Sequence, residues 1–148
     1  LGWLGIAKNG QLKKLDNESI GRESFLAKEK TPTKTGIPEA DNLIKKIYEI
    51  NETRATIVST YLNEMKVALS ESYRVLKKNG YLVLIVGNNV VCNKEFNTQK
   101  YFTHYLKGLG LELKFKLIDD IRSYGLMTKR NKTADIISRE WILAFQKK

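Results

Sequence analysis

Residues 74–88 read RVLKKNGYLVLIVGN, and this stretch decides the fold class because it joins a helix end, a glycine stop and an apolar strand. Apolar residues recur at helical spacing before it, which predicts a helix from about Thr53 to Lys78. Gly80 can take the left-handed conformation that closes a helix. Tyr81 to Val86 is almost unbroken aliphatic, as in a parallel strand covered on both faces. This order predicts the crossover of an α/β nucleotide fold.

The carboxyl end of this strand is where we expect a ligand site. Gly87, Asn88 and Asn89 follow the strand as a tight polar turn. Ligand crevices of open α/β sheets lie outside such strand ends, so these three residues are the candidate substrate pocket. A plain turn explains the same residues, since Gly-Asn suits turn geometry, and both interpretations stay open.

The rest of the chain continues as helix and strand. Residues 97–109 place apolar side chains on one face and predict a crossover helix. Residues 111–117 alternate apolar and charged side chains, which predicts a strand with one wet face. The last strand is predicted over residues 140–146. Between these strands, residues 120–139 form a long basic excursion.

The N-terminal part divides at residue 38 into a basic loop or arm, residues 1–38, and the α/β part, residues 39–148. From Lys8 to Pro38 the arm is polar and irregular, and a loop of that length is uncommon unless it is functional or disordered. A helix is predicted to begin at Pro38, with an interruption at residues 51–53. The start at Leu1 and its apolar neighbours lead us to expect a piece of a larger enzyme, although trimming of a tag or tail explains them too.

Composition narrows the functional classes. The net charge of +10 points toward a polyanion such as nucleic acid or an acidic membrane surface, although a genome rich in A and T explains abundant lysine as well. Cys92 is the single cysteine and His104 the single histidine, so we expect neither a disulfide nor a metal site. We expect a cytoplasmic protein, because a reducing cytosol fits best and no apolar run approaches the roughly 20 residues that cross a bilayer.

Five motifs together resemble one enzyme family. They are RVLKKNGYLVLIVGNNVV, FNT, LGLEL, DDIRSYGLMTKRNKT and REWILAFQK, preceded by WLGI and LDNESIG. Their order is similar to the C-terminal half of prokaryotic DNA amino methyltransferases of restriction-modification systems, and the resemblance covers nearly the whole chain. It implies a Rossmann-like, class I methyltransferase sheet. The chain then supplies the fifth, sixth and seventh strands, and the last lies antiparallel between the other two.

Two elements of that family are missing from this sequence. One is the glycine-rich loop that binds S-adenosylmethionine, and the other is the Pro-Pro loop that holds the target amino group of a flipped base. The two prolines present, Pro32 and Pro38, are well separated. We therefore assign no catalytic, cofactor-binding or metal-binding residue, and we expect the chain alone to be inactive.

The DNA contacts implied by the resemblance fall on two basic segments. Arg122, Lys129 and Arg130 in the late loop are expected to contact phosphates or bases, although a solvated basic loop has the same composition. Lys13 and Lys14 in the arm are expected to supply diffuse attraction to the DNA backbone.

Three functions remain open on the residues alone. The first is a segment of a DNA methyltransferase whose partners are DNA and the remainder of the methyltransferase chain. The second is a non-catalytic basic module that binds nucleic acid, and the third is a methyltransferase segment acting on RNA or a small molecule. No membrane partner is expected. A homodimer or larger assembly through the exposed sheet edge at Tyr81 to Val86, or a covering of that edge by residues 1–6, is a further expectation, because an unpaired apolar edge is a template for association.

Overall fold

The structure is a computed structural model, and it describes residues 11–25, 31–122 and 137–148. Within these ranges the chain is an α/β protein with four helices, a three-stranded sheet and a two-stranded hairpin. The elements are α1 (Gln11–Glu18), α2 (Pro38–Tyr48), α3 (Glu52–Val75), β1 (Tyr81–Gly87), β2 (Asn89–Val91), β3 (Lys94–Phe96), α4 (Thr98–Gly108), β4 (Leu111–Asp120) and β5 (Arg139–Lys147).

The long central helix α3 begins at a side-chain cap. Asn51 interrupts the two helices as predicted, and its Oδ1 accepts a hydrogen bond from the Arg54 amide at 2.9 Å. The helix ends at Val75, three residues before the predicted end. The left-handed residue is Asn79, with φ 63°, and not Gly80. Asparagine tolerates this conformation, so the glycine is not needed for it.

The basic arm is not wholly irregular, because it contains helix α1. Leu12 and Leu15 stand one turn apart there, and residues 11–18 include neither glycine nor proline. No residue of α1 is buried. The end of the arm is tied to α2, where the Asp41 carboxylate accepts hydrogen bonds from the amide of Thr35 at 2.7 Å and from its hydroxyl at 2.8 Å.

The three-stranded sheet has the order β1-β5-β4. Strand β5 pairs antiparallel with both neighbours, so β1 and β4 run in the same direction on either side of it. This is the strand order that the resemblance implies, with the last strand between the other two. A Rossmann-like parallel sheet is not seen, because every strand pair among the described residues is antiparallel.

One face of the sheet carries the core. Val86, Leu143 and Phe145 are buried on this covered face, and α4 contributes Phe102 and Leu106, which are fully buried. Helices α2 and α3 continue the same core from the helix side, where their buried positions include Ile47 and Leu62. Burial of these side chains is the main stabilising contribution, since the hydrophobic effect scales with apolar area removed from water.

The opposite face of the sheet is open among the described residues. Tyr81, Val83 and Ile85 of β1 point to this open face and remain 54%, 58% and 59% exposed. The prediction that Tyr81 to Val86 is covered on both faces is therefore wrong for this chain. That prediction rested on the apolar run alone, and an apolar run does not specify which elements pack on each face of the strand.

A β-bulge at Lys114 changes the orientation of side chains along β4. The register shifts between Leu113, which pairs with Phe145 on the covered face, and Phe115, which pairs with Ala144 on the open face. One extra residue reverses the alternation, because side chains in a strand repeat every two residues. The predicted single wet face of β4 is therefore wrong: Phe115 and Leu117 are 62% and 58% exposed, while Leu111 is buried.

Candidate functional site

The carboxyl edge of the sheet gathers the ends of β1 and β4 and the start of β5. Gly87 is paired with Glu140, and Asp120 is paired with Arg139. The Ile121 amide donates to the Ser138 carbonyl at 3.0 Å. Residues 122 and 137, which flank the segment 123–136, thus lie at the same edge as the predicted pocket residues.

Gly87 is a position of close approach between backbone and side chain. A Cβ atom added there stands 2.6 Å from Cγ2 of Ile137. Real Cβ contacts are not that short, so any larger residue at position 87 displaces Ile137 or the strand end. The absence of a side chain at Gly87 therefore allows Ile137 to pack closely on the end of β1.

Asn88 joins the end of β1 to the start of α4. Its Nδ2 donates to Oδ1 of Asn97 at 2.8 Å and to Oε1 of Glu95 at 3.4 Å, and its Oδ1 accepts from the Gln99 amide at 3.3 Å. Asn97 stands at the N-cap position without a side-chain cap bond. Asn88 thus caps α4 from a distant part of the chain.

The predicted tight turn after β1 is the entry to a hairpin. Asn89 begins β2, and β2 pairs antiparallel with β3. Cys92 and Asn93 form the connection, with φ values of 52° and 59°, as a two-residue hairpin turn requires. The side chain of Asn88 bridges two elements, whereas Oδ1 of Asn89 accepts from the adjacent Val90 amide at 2.8 Å.

A second polar contact ties α4 to β4. The side chain of Gln99 is buried, and its Oε1 accepts a hydrogen bond from Nζ of Lys116 at 2.9 Å. Lys116 reaches the helix because the bulge turns it onto the covered face, where it pairs with Leu143. Together Asn88, Gln99 and Lys116 form a polar junction between β1, α4 and β4.

The charges at the carboxyl edge have both signs. Arg139 and Asp120 form an ion pair at 2.6 Å, with both side chains half exposed or more. Asp119 and Glu140 stand directly opposite each other on the open face. Arg122 is exposed and follows Asp120 by two residues. An exposed guanidinium can donate to a phosphate, whereas the neighbouring carboxylates repel one.

The remaining predicted DNA contacts are spread over the chain. Lys13 and Lys14 are exposed on α1, and Nζ of Lys14 stands 3.9 Å from a Glu18 carboxylate oxygen. The residues after α1 contact α3, where Glu23 pairs with Arg54 at 3.1 Å. Lys129 and Arg130 lie outside the described residues. The structure therefore brings Gly87, Asn88 and Arg122 to one edge, while Lys13 and Lys14 lie on another element.

Other possible sites are limited in the part of the chain that the structure describes. It contains no group of three or more His, Cys, Asp or Glu side chains that could hold a metal ion. None of its helices is long and apolar enough to cross a membrane. An open depression of about 500 Å³ lies beside the end of α1 and is lined by Asp16, Ser19, Ile20, Gly21, Arg22, Glu23 and Ser24.

Sequence analysis singled out Asn88 of the polar junction, but it did not identify Gln99 and Lys116 or the neighbouring Glu95 and Asn97. Asn97 alone carried a signal, because asparagine before a helical segment is typical of an N-cap. Glu95, Gln99 and Lys116 carried none, because their partners are 7, 11 and 17 residues distant or lie behind the bulge.

No protein family, curated protein or solved structure matches this chain.

Proposed function

We propose that this chain is the C-terminal segment of a site-specific DNA methyltransferase, which transfers a methyl group from S-adenosylmethionine to the exocyclic amino group of adenine or cytosine. The observation that carries the proposal is the strand order β1-β5-β4, with β5 antiparallel between two strands that α4 connects. The sequence motifs resemble a family whose fifth, seventh and sixth strands have this order.

The unpaired edge of β1 supports a larger fold. Strand β1 pairs with β5 on one side only, and its backbone groups on the other side have no strand partner among the described residues. Its residues carry no charge. Edge strands of complete domains usually carry charges, prolines or bulges that prevent further pairing. Strand β1 has the composition of an internal strand, as in a sheet that continues beyond this chain.

The role of this segment in the reaction is to shape and orient. S-adenosylmethionine supplies the methyl group, and no residue of the described ranges is assigned to hold it. Gly87, Asn88 and Asn89 form the wall at the strand end, beside the loop that positions a flipped base in this family. The side-chain amide of Asn88 already forms hydrogen bonds with Asn97 and with the Gln99 amide. It therefore holds the strand end in place and does not offer a free hydrogen-bond donor to the base. Arg122 marks the start of the DNA-contacting segment.

The test compares two chains in one assay. The coding sequence upstream of Leu1 is expected to carry a glycine-rich loop and a Pro-Pro loop. The longer protein is expected to incorporate radiolabelled methyl groups into DNA, while the 148-residue chain does not. Incorporation by the 148-residue chain alone contradicts the proposal, and so does an upstream sequence without these loops.

A basic module that binds nucleic acid without catalysis is the second candidate. The net charge of +10 and the exposed Lys13 and Lys14 favour it. Both candidates predict salt-sensitive DNA binding, because neutralised phosphates release counterions. Replacing Arg122, Lys129 and Arg130 together is expected to flatten the salt slope by roughly two to three units, at about 0.9 per lost contact. An unchanged slope means that these three residues do not contact DNA phosphates. The presence or absence of the glycine-rich and Pro-Pro loops upstream of Leu1 distinguishes the two candidate functions.

A further inference from the structure

The open face of the sheet carries two rows of apolar side chains. Strand register places residues of β1, β5 and β4 side by side, and both rows run across the sheet. The first row contains the small Ala144 at its centre, and the second contains Ile142 there. In order across the sheet, the rows are Val83, Ala144 and Phe115, then Ile85, Ile142 and Leu117.

We propose that two copies of this chain pack together through the open face, related by a twofold axis that runs across the strands. This arrangement goes beyond the proposed function and does not depend on it. The axis places the first row of one copy on the second row of the other. Ile142 then stands opposite the small Ala144 of the second copy, and Phe115 stands opposite Leu117. Large side chains facing small ones interdigitate, as close packing requires.

A twofold axis along the strands is the other way to stack the same faces, and it fits poorly. It places Ala144 on Ala144 and leaves space at the centre, while Ile142 meets Ile142. A gap at the centre of an interface loses the contacts of its lining atoms. The sizes in the two rows therefore select the axis across the strands.

The charges at the two ends of the open face select the same axis. Asp119 and Glu140 lie at the carboxyl end. At the amino end, Glu112 is held between two ammonium groups, Lys114 at 2.9 Å and Lys148 at 3.4 Å. The axis across the strands places the acidic end of one copy over the net basic end of the other. The axis along the strands places acid on acid, which is unfavourable.

The exposed area is sufficient for a weak dimer. The five large open-face side chains of β1 and β4 are Tyr81, Val83, Ile85, Phe115 and Leu117, each 54% to 62% exposed. They and the neighbouring β5 residues offer on the order of 600 Å² per copy, near the roughly 800 Å² per partner of standard interfaces. A patch of this size is at the upper end of what monomers expose. Two such sheets pack about 10 Å apart.

The first test is sedimentation velocity over a micromolar concentration series. The wild-type chain is expected to form a dimer. Leu117→Lys is expected to weaken the dimer by at least about tenfold, because it buries an unpaired charge. The matched control is Val67→Lys on α3, where Val67 is 72% exposed on the helix side, and it leaves the dimer unchanged. Circular dichroism verifies that both variants fold.

The second test exchanges the charges at the two ends. The double variant D119K/E140K is expected to weaken the dimer several-fold. Adding K114E and K148E is expected to restore it, because acid and base again face each other across the axis. These positions are solvent-accessible, so the series keeps the fold even where Leu117→Lys does not. If the quadruple variant does not restore dimerisation, the proposed axis is wrong.

Two other outcomes overturn the proposal as a whole. The first is a wild-type chain that remains monomeric throughout the series. The second is a dimer that survives Leu117→Lys and protects the amides of residues 82–86 from hydrogen exchange. That pattern assigns association to the edge of β1, because β4 is two strands away from that edge.

Discussion

The covered and open faces of the three-stranded sheet contain similar residues in different environments. Phe145 is fully buried on the covered face, whereas Phe115, on the neighbouring strand, is 62% exposed on the open face. Phe145 lies in an apolar stretch, and Phe115 lies in a stretch that alternates apolar and charged residues. The difference comes from α4, which packs on one face only among the described residues. Apolar composition therefore identifies a strand that can be buried. The elements packed on each face decide which of its side chains are buried and stabilise the chain.

The largest expected effect comes from truncating one phenylalanine on each face and comparing the losses in the free energy of unfolding. Phe145→Ala is expected to lower the free energy of unfolding by about 3–5 kcal/mol, because it leaves a cavity in the core. Phe115→Ala is expected to cost less than about 1 kcal/mol at low protein concentration, since its ring is largely solvated. Urea unfolding followed by circular dichroism measures both. Equal losses show that the open face is covered in solution.

The polar junction on the covered side is the next test. Asn88→Ala removes the bonds to Asn97 and to the Gln99 amide and is expected to cost about 1–2 kcal/mol, as the loss of a helix cap does. Asn89→Ala is the matched control, because its Oδ1 serves only the adjacent Val90 amide in the described contacts. A cost at position 89 as large as that at position 88 argues against the capping role.

Two adjacent lysines at the end of β5 sharpen the comparison further. Nζ of Lys147 donates to the carbonyls of Tyr73 at 2.8 Å and Leu76 at 2.9 Å, and it stands 4.2 Å from the Tyr73 ring centroid. Lys147→Met is expected to cost about 1 kcal/mol, because helix-end carbonyls lose their partner. Lys148→Met is expected to cost about 0–0.5 kcal/mol, as for an exposed ion pair. Chemical denaturation of both variants checks the difference.

The smallest expected effect is a loss of stability at alkaline pH, and it is absent at neutral pH. Burial, reinforced by the charge of Glu39, raises the pKa of Tyr101 above its ordinary value of 10.0, and burial raises the pKa of Tyr61 as well. The unfolded chain releases these protons first, so the stability is fully present below about pH 10 and is lost as pH rises through the folded-state pKa values. The double variant Tyr61→Phe and Tyr101→Phe is expected to flatten this alkaline decline, which pH-dependent urea unfolding measures. An identical decline in wild type and variant contradicts it.

The elements themselves were predictable where their signals are local. Helical spacing and the interruption at Asn51 located α2 and α3, and α4 and β5 were predicted within one residue at each end. The unbroken aliphatic run identified β1. These signals are local because capping and periodicity act over one or two turns. Helix α1 was missed because the high charge of its surroundings obscured a short apolar repeat.

The bulge at Lys114 and the polar junction were not predictable in the same way. Alternation in residues 111–117 is regular in the sequence, and nothing local distinguishes Leu113 from Phe115. The shift follows from pairing with β5, since Phe145 and Ala144 point to opposite faces. The partners of Asn88 were likewise unknown before β1 and α4 were brought together. Its proposed place in a base pocket stays a prediction.

The sequence by itself determined where helices and strands form, because propensity, capping and periodicity act between neighbouring residues. It also determined the basic charge and the apolar character of β1. Only the tertiary structure decided that a register shift turns Phe115 to solvent and that Asn88 caps α4. The physical reason is that pairing and burial depend on residues far apart in the chain, so their energies arise only when the elements are assembled.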